Sequence, residues 1–67
     1  VITIKLNGES RSFPAPCSAA DLVAQLGYTG KRIALERNGD IVPRSTYAAV
    51  QLADGDQLEV VVAVGGG

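Results

Sequence analysis

Apolar and polar residues alternate strictly over the first seven positions, with Ile2, Ile4 and Leu6 on one face and Thr3, Lys5 and Asn7 on the other. That period of two predicts a half-buried strand. Asn7-Gly8 follows, a dipeptide that tolerates positive φ at both centres of a type I′ turn, so the chain is expected to reverse into a second strand around Ser10 to Phe13. Pro14 and Pro16 end the pairing, because neither donates a ladder hydrogen bond. The period then changes. Ala19, Leu22, Val23 and Leu26 fall at i, i+3, i+4 and i+7, one apolar stripe of a short helix expected over 18–26. Ser18 is a suitable N-cap, Asp21 favours the positive end of the helix dipole, Gly27 is the expected stop, and Tyr28 supplies the hydrophobic contact after it.

Ile33 to Arg37 reads as a third strand, Asn38-Gly39 as another hairpin turn, and Asp40 to Val42 as a short return strand cut off by Pro43. A linker with Tyr47 and Val50 has room for one helical turn, and Asp54-Gly55-Asp56 reads as a tight turn. The last strand spans Gln57 to Val64. Its first half alternates, Leu58, Val60 and Val62 lying opposite Gln57 and Glu59, whereas its second half is apolar on both faces. Such a strand is central in a sheet or covered by a partner. With one real helix and a hairpin that must bury one face, the economical arrangement packs the helix across one face of a mixed sheet of four or five strands. The last strand then lies in the middle, parallel to the first. The expected class is α+β with the β-grasp, ubiquitin-like arrangement: one domain over residues 1–64 and a flexible glycine tail over 65–67.

At 67 residues, a chain buries only about 60% of its unfolded surface and has little room for an active-site cleft. The composition, 46% apolar and 19% charged, fits a packed globule and not a disordered chain. Six basic and seven acidic residues leave a net charge of −1, no electrostatic footprint for nucleic acid. One cysteine and no histidine exclude a disulfide framework, a zinc site and histidine-based catalysis. No charged leader precedes an apolar core, and the longest apolar stretch is far short of a membrane span, so a cytoplasmic setting is expected. Cys17 reads as a small residue at the helix entrance, and Asp54 with Asp56 as a plain turn in preference to half a calcium loop. Arg44 reads equally as a solvated loop charge or as a contact for an acidic partner.

The end of the chain carries the candidate chemistry. Gly65-Gly66-Gly67 follows the apolar strand directly. Glycine lets the backbone adopt conformations closed to other residues and pass through a channel too narrow for a Cβ. On composition alone such an end is equally a disordered terminus or the scar of an expression tag. The stretch Ala34-Leu35-Glu36-Arg37-Asn38-Gly39-Asp40-Ile41-Val42-Pro43-Arg44, an aromatic at Tyr47, Asp54-Gly55-Asp56-Gln57-Leu58-Glu59 and the ending Val62-Ala63-Val64-Gly65-Gly66-Gly67 closely resemble the sulfur carrier family ThiS of thiamine biosynthesis. The resemblance covers essentially the whole chain. Tyr47 departs from it, since tryptophan is the more usual ring there.

This resemblance implies a carrier and co-substrate, not an enzyme. A ThiF-like adenylating enzyme would use ATP to convert the Gly67 carboxylate to an acyl-adenylate, and sulfur from a persulfide donor, a cysteine desulfurase or sulfurtransferase, would replace AMP to give a thiocarboxylate. Thiazole synthase would then receive the sulfur. Gly65 and Gly66 would be the slender lead into the partners' sites. No cofactor is expected on the chain itself, ATP being consumed by the partner, and neither a metal, nucleic acid nor a membrane is expected as a ligand. Val61 and Ala63 lie on the opposite strand face from Leu58, Val60, Val62 and Val64. An exposed apolar dock near the tail is expected, with Val61, Ala63 and Val64 as its residues. Rival readings are a molybdopterin-type sulfur carrier, a ubiquitin-like modifier, and, from another class, a nucleotide- or RNA-associated β-grasp module of the TGS type. The last has no use for a terminal Gly-Gly, so it gains if the native reading frame continues past Gly67.

Overall fold

The alternation at the N-terminus forms β1 (Ile2–Leu6), which buries Ile2, Ile4 and Leu6 and pairs antiparallel with β2 (Glu9–Phe13). The structure, a computed structural model, describes residues 1–63. Asn7 and Gly8 have φ of 50° and 84°, both positive, as a two-residue type I′ hairpin requires. Asn38 and Gly39 repeat this at 51° and 89°, joining β3 (Ile33–Arg37) to the short β4 (Asp40–Ile41). The last strand, β5 (Gln57–Val62), sits in the middle of a five-stranded sheet of order β2-β1-β5-β3-β4. It runs parallel to β1 and antiparallel to β3, as the unbroken apolar run predicts. The strand ends earlier than the expected Gln57 to Val64: β5 stops at Val62, Ala63 lies beyond it, and Val64 with Gly65, Gly66 and Gly67 lies outside the described residues.

The single helix α1 (Ala19–Gln25) is closed at both ends by its own sequence. Ser18 Oγ accepts from the Asp21 amide at 3.0 Å, and the Asp21 carboxylate accepts from the Ser18 amide at 3.0 Å, a full capping box. The other two first-turn amides, which have no partner within the helix, find carbonyls in the linker: Ala19 N donates to Val50 O at 2.9 Å and Ala20 N to Tyr47 O at 3.0 Å. The linker, with one 3-10 turn at Arg44–Thr46, is therefore a cap for the helix as well as a connection. At the other end, Gly27 (φ 78°) lets Tyr28 N reach Val23 O at 3.0 Å and its own amide reach Ala24 O at 3.1 Å, a Schellman closure. Replacing Ser18 by alanine leaves the partly buried Asp21 amide without its acceptor. The expected cost is about 1–2 kcal/mol in urea unfolding, with most of it restored by Ser18→Thr.

Ala19, Leu22 and Val23 of α1 face the sheet and pack with Ile4, Leu35, Leu58, Phe13 and Tyr47 in one core. Ile4, Leu22, Leu35 and Leu58 are the largest side chains fully removed from solvent. Tyr47 is buried in this cluster, so its ring is part of the core. The helix covers one face only. The opposite face, built from Thr3, Lys5, Ser10, Ser12, Gln57, Glu59, Val61, Ala34, Glu36 and Ile41, is open.

Candidate tail root and docking face

The central strand is held at Gln57 and Val60 by side chains from both Asn-Gly hairpins, and the Asp54-Gly55-Asp56 turn before it is tied to β1 and to the second hairpin. Where the β1 pairing ends, the Asn7 side chain takes over as a surrogate peptide: its Oδ1 accepts from Val60 N at 2.8 Å and its Nδ2 donates to Val60 O at 3.2 Å. Asn38 does the same at the other end, its Oδ1 accepting from Gln57 N at 2.9 Å while its own amide donates to Gln57 O at 2.7 Å. Asp54 Oδ1 accepts from Thr3 N at 2.7 Å, tying the turn before β5 to the start of β1.

Asp56 is the hub of this arrangement. Only 7% exposed, its carboxylate accepts from Ala53 N at 2.8 Å, Asn38 Nδ2 at 3.1 Å and Arg37 Nε at 2.8 Å. Burial on its own would push the carboxyl pKa up, but the Ala53, Asn38 and Arg37 bonds and the Arg37 charge outweigh it and hold the group below the usual aspartate value. The turn reading of Asp54 and Asp56 is right as far as it goes. It misses that Asp56 is an internal anchor and not a solvated turn residue.

Beyond Val60, β5 leaves the core. Leu58 and Val60 are buried, but Val61 is 61% exposed, and Val62 and Ala63 are exposed too. Val62 pairs with Ile33, and Ala63 N donates to Arg32 O at 2.9 Å, so the chain is fixed to the edge of β3 up to the point where the tail begins. Val61 and Ala63 thus lie together on the open face, as the alternation predicts, and there is an apolar surface beside the tail root. Ala34, directly paired with Val61, and Ile41, 68% exposed, extend that surface; neither stands out in the sequence, because strand partners distant in the chain bring them in. Val64, Gly65, Gly66 and Gly67, the remaining expected site residues, fall outside the described residues.

Two other side chains take definite positions. Cys17 is buried, and burial together with the nearby Asp21 carboxylate pushes its thiol pKa up, away from the thiolate form that reactive cysteines use. That agrees with a packing role. Arg44 donates from Nη2 to Lys31 O at 2.7 Å, pinning the 3-10 turn to the loop that leads into β3, so it is neither a merely solvated charge nor wholly free for a partner.

A mixed five-stranded sheet with one covering helix, whose last strand runs centrally and carries the chain out of the body, defines a ubiquitin-like β-grasp domain. The chain belongs to the ThiS family, whose model matches residues 4–67. It is 34% identical over 65 residues to the sulfur carrier protein ThiS of Bacillus subtilis, covering 96% of this chain and 98% of that one. It is also 47% identical over 62 residues to a thiazole synthase of Paramagnetospirillum magneticum, where the match takes in 92% of this chain but only 19% of the relative's length. Among solved structures, the crystal structure of the thiamine biosynthesis protein ThiS from Geobacter metallireducens superposes with a TM-score of 0.82 over 98% of this chain and 100% of that chain, at 23% identity. The β-grasp architecture expected from the sequence is therefore the observed one.

Proposed function

We propose that this chain is a sulfur carrier of thiamine biosynthesis, acting as a co-substrate of its partners through the carboxylate of Gly67. The observation that carries the reading is the family match, which continues through the glycines to residue 67. The body supports it: the chain after β5 is fixed to the sheet as far as Ala63, and the sequence continues into three glycines. Four extended residues span at most about 14 Å, enough to enter a partner's pocket while the globular body stays outside.

A carboxylate is a poor acyl donor. A ThiF-like enzyme would therefore join the Gly67 carboxylate to the α-phosphate of ATP, releasing pyrophosphate. A persulfide on a cysteine desulfurase or sulfurtransferase then attacks the acyl carbon and AMP departs. A second thiol cuts the resulting S–S bond, leaving the thiocarboxylate on Gly67 and a disulfide on the donor side. The chain binds no cofactor in this scheme; ATP is consumed at the partner. The similarity to a polypeptide named thiazole synthase supports thiazole synthase as the acceptor, since in that relative a domain like this one makes up 19% of the same chain.

Intact-mass measurement tests the reading. Incubation with a ThiF-like enzyme, ATP and a persulfide donor is expected to add the mass difference of one sulfur for one oxygen. The gain should vanish when Gly67 is deleted or when one alanine is appended after it. Absence of adenylation of the native chain overturns the proposal.

A further inference from the structure

Asn7-Gly8 and Asn38-Gly39 carry a covalent reactivity that their role as turns does not use. Glycine has no Cβ to shield its amide, so its nitrogen can reach the carboxamide carbon of the asparagine before it. A C–N bond forms at Cγ, the bond from Cγ to the NH2 group breaks, and the glycine amide proton departs with that group as ammonia. Water then opens the cyclic imide to aspartate or to its β-linked isomer, and no other reactant is needed. The two turns share a backbone geometry, with φ of 50° and 84° in the first and 51° and 89° in the second. What separates them is how firmly each is held and what surrounds it.

Each carboxamide is bonded at both of its polar atoms, Asn7 to Val60 N and O, and Asn38 to Gln57 N and Asp56 Oδ1. Local opening must therefore precede reaction. Asn7 closes a hairpin of five cross-strand pairs. Asn38 closes one of two pairs at the edge of the sheet, supported by one further bond from Val42 N to Leu35 O at 2.8 Å, so this hairpin opens more readily. The surroundings differ in charge as well. The Asn7 side chain meets the neutral peptide of Val60, whereas Asn38 meets the enclosed carboxylate of Asp56. Asp40 lies across the same turn, and Glu36 and Glu59 line a hollow with Gly39 and Gln57. Asp54, in the turn with Asp56, is bonded to Thr3 N. Of the cations, Arg37 is already bonded to Asp56, and Lys5 is paired with Gln57 from β1.

We propose that Asn38 is the site at which the folded chain is spontaneously deamidated, and that the aspartate formed there undoes the anchor at the start of β5. The new carboxylate faces Asp56 where Asn38 Nδ2 donated at 3.1 Å, so an attraction is replaced by like charge. The β-linked isomer also adds a backbone atom to a two-residue turn, which draws Asn38 N away from Gln57 O, its acceptor at 2.7 Å. This inference stands on the fold and is independent of the carrier reading.

The test is peptide mapping by mass spectrometry during storage of the full chain in mildly alkaline buffer, with and without denaturing urea. In the folded chain the mass change of amide-to-acid exchange is expected at Asn38 on the order of tenfold sooner than at Asn7. In urea the two steps should react at similar rates, because both are Asn-Gly and the fold no longer separates them. Asn38→Asp, the product made directly, should melt about 8 °C or more below the native chain near neutrality, and Asn7→Asp should lose less than half as much. Opposed to Asp56, the new carboxyl binds its proton more tightly in the folded chain than in the unfolded one. Its penalty is therefore present near neutrality and should shrink as pH falls toward the unfolded carboxylate value of about 3.9. Asn38→Ala, which loses the same bonds without adding charge, should keep a constant gap over that window. An Asn38→Asp chain that is unfolded near neutrality should refold on acidification toward the same value. Equal rates at Asn7 and Asn38 in the folded chain, or an earlier change at Asn7, overturn the assignment of the site. A gap for Asn38→Asp that fails to narrow toward acid overturns the like-charge account of its effect.

Discussion

Gly66→Val is expected to abolish adenylation, by at least about a hundredfold in kcat/KM, while the melting temperature stays within about 1 °C of the native chain. The two halves of this result have separate causes. On the proposed carrier reading the segment would thread a partner's channel beside ATP, and a β-branched side chain, which restricts the backbone to fewer conformations and adds bulk, would stop the carboxylate short of the α-phosphate. The body does not notice, because the buried core of the described residues ends at Val60. Gly66→Ala should lie between, its single methyl adding less bulk and less conformational restriction. Exchange kinetics with a ThiF-like enzyme and a thermal melt decide the matter together. A valine variant that is adenylated normally would mean the tail is not threaded, and one that melts well below the native chain would mean that the tail is part of the fold.

Much of the body is legible in the sequence because its signals are local. Asn7-Gly8 and Asn38-Gly39 specify turns of one hand, Ser18 with Asp21 specifies a helix start, and Gly27 its end; each acts within four residues. The central place of β5 is also legible, since a strand apolar on both faces is expected in the middle of a sheet or under a partner, although its outer residues Val61 and Val62 stay exposed. What escapes a linear reading depends on distant partners. Asn7 looks like a turn residue and is one, yet its side chain also binds Val60, 53 positions away. Asp56 looks like a solvated turn carboxylate and is instead enclosed by Arg37 and Asn38 from the other hairpin. The same holds at the site. Val61 and Ala63 can be assigned to one face by parity alone, but the cross-strand neighbours that give this face its character, Glu36, Ala34 and Ile41, are supplied by register. The last strand therefore has two regimes: an inner half whose Leu58 and Val60 are buried in the core while Gln57 and Glu59 face out, and an outer half, Val61 and Val62, exposed on both faces.

Asp56→Ala should lower stability by about 3 kcal/mol, which for a domain of this size corresponds to a fall of about 15 °C in melting temperature. Three donors, Ala53 N, Asn38 Nδ2 and Arg37 Nε, lose their acceptor at once, all three bonds being partly shielded from water. The Arg37 side chain is a third exposed, so solvent screens the ionic share of the loss. Asp54→Ala, at an exposed residue with one bond to Thr3 N, should cost less than half as much. Acid separates the charge of Asp56 from its shape. The folded-state pKa is held below the unfolded value of about 3.9, so the stabilisation is fully present above that value and is lost as pH falls through the lower, folded one. Asp56→Asn keeps the outline and one acceptor but cannot titrate; it should be less stable than the native chain near neutrality and converge toward it as pH falls below about 3.9. Melting temperatures of both proteins across that range provide the test. A gap that stays constant into acid would show that the carboxylate charge contributes nothing and that hydrogen-bond geometry alone anchors the start of β5.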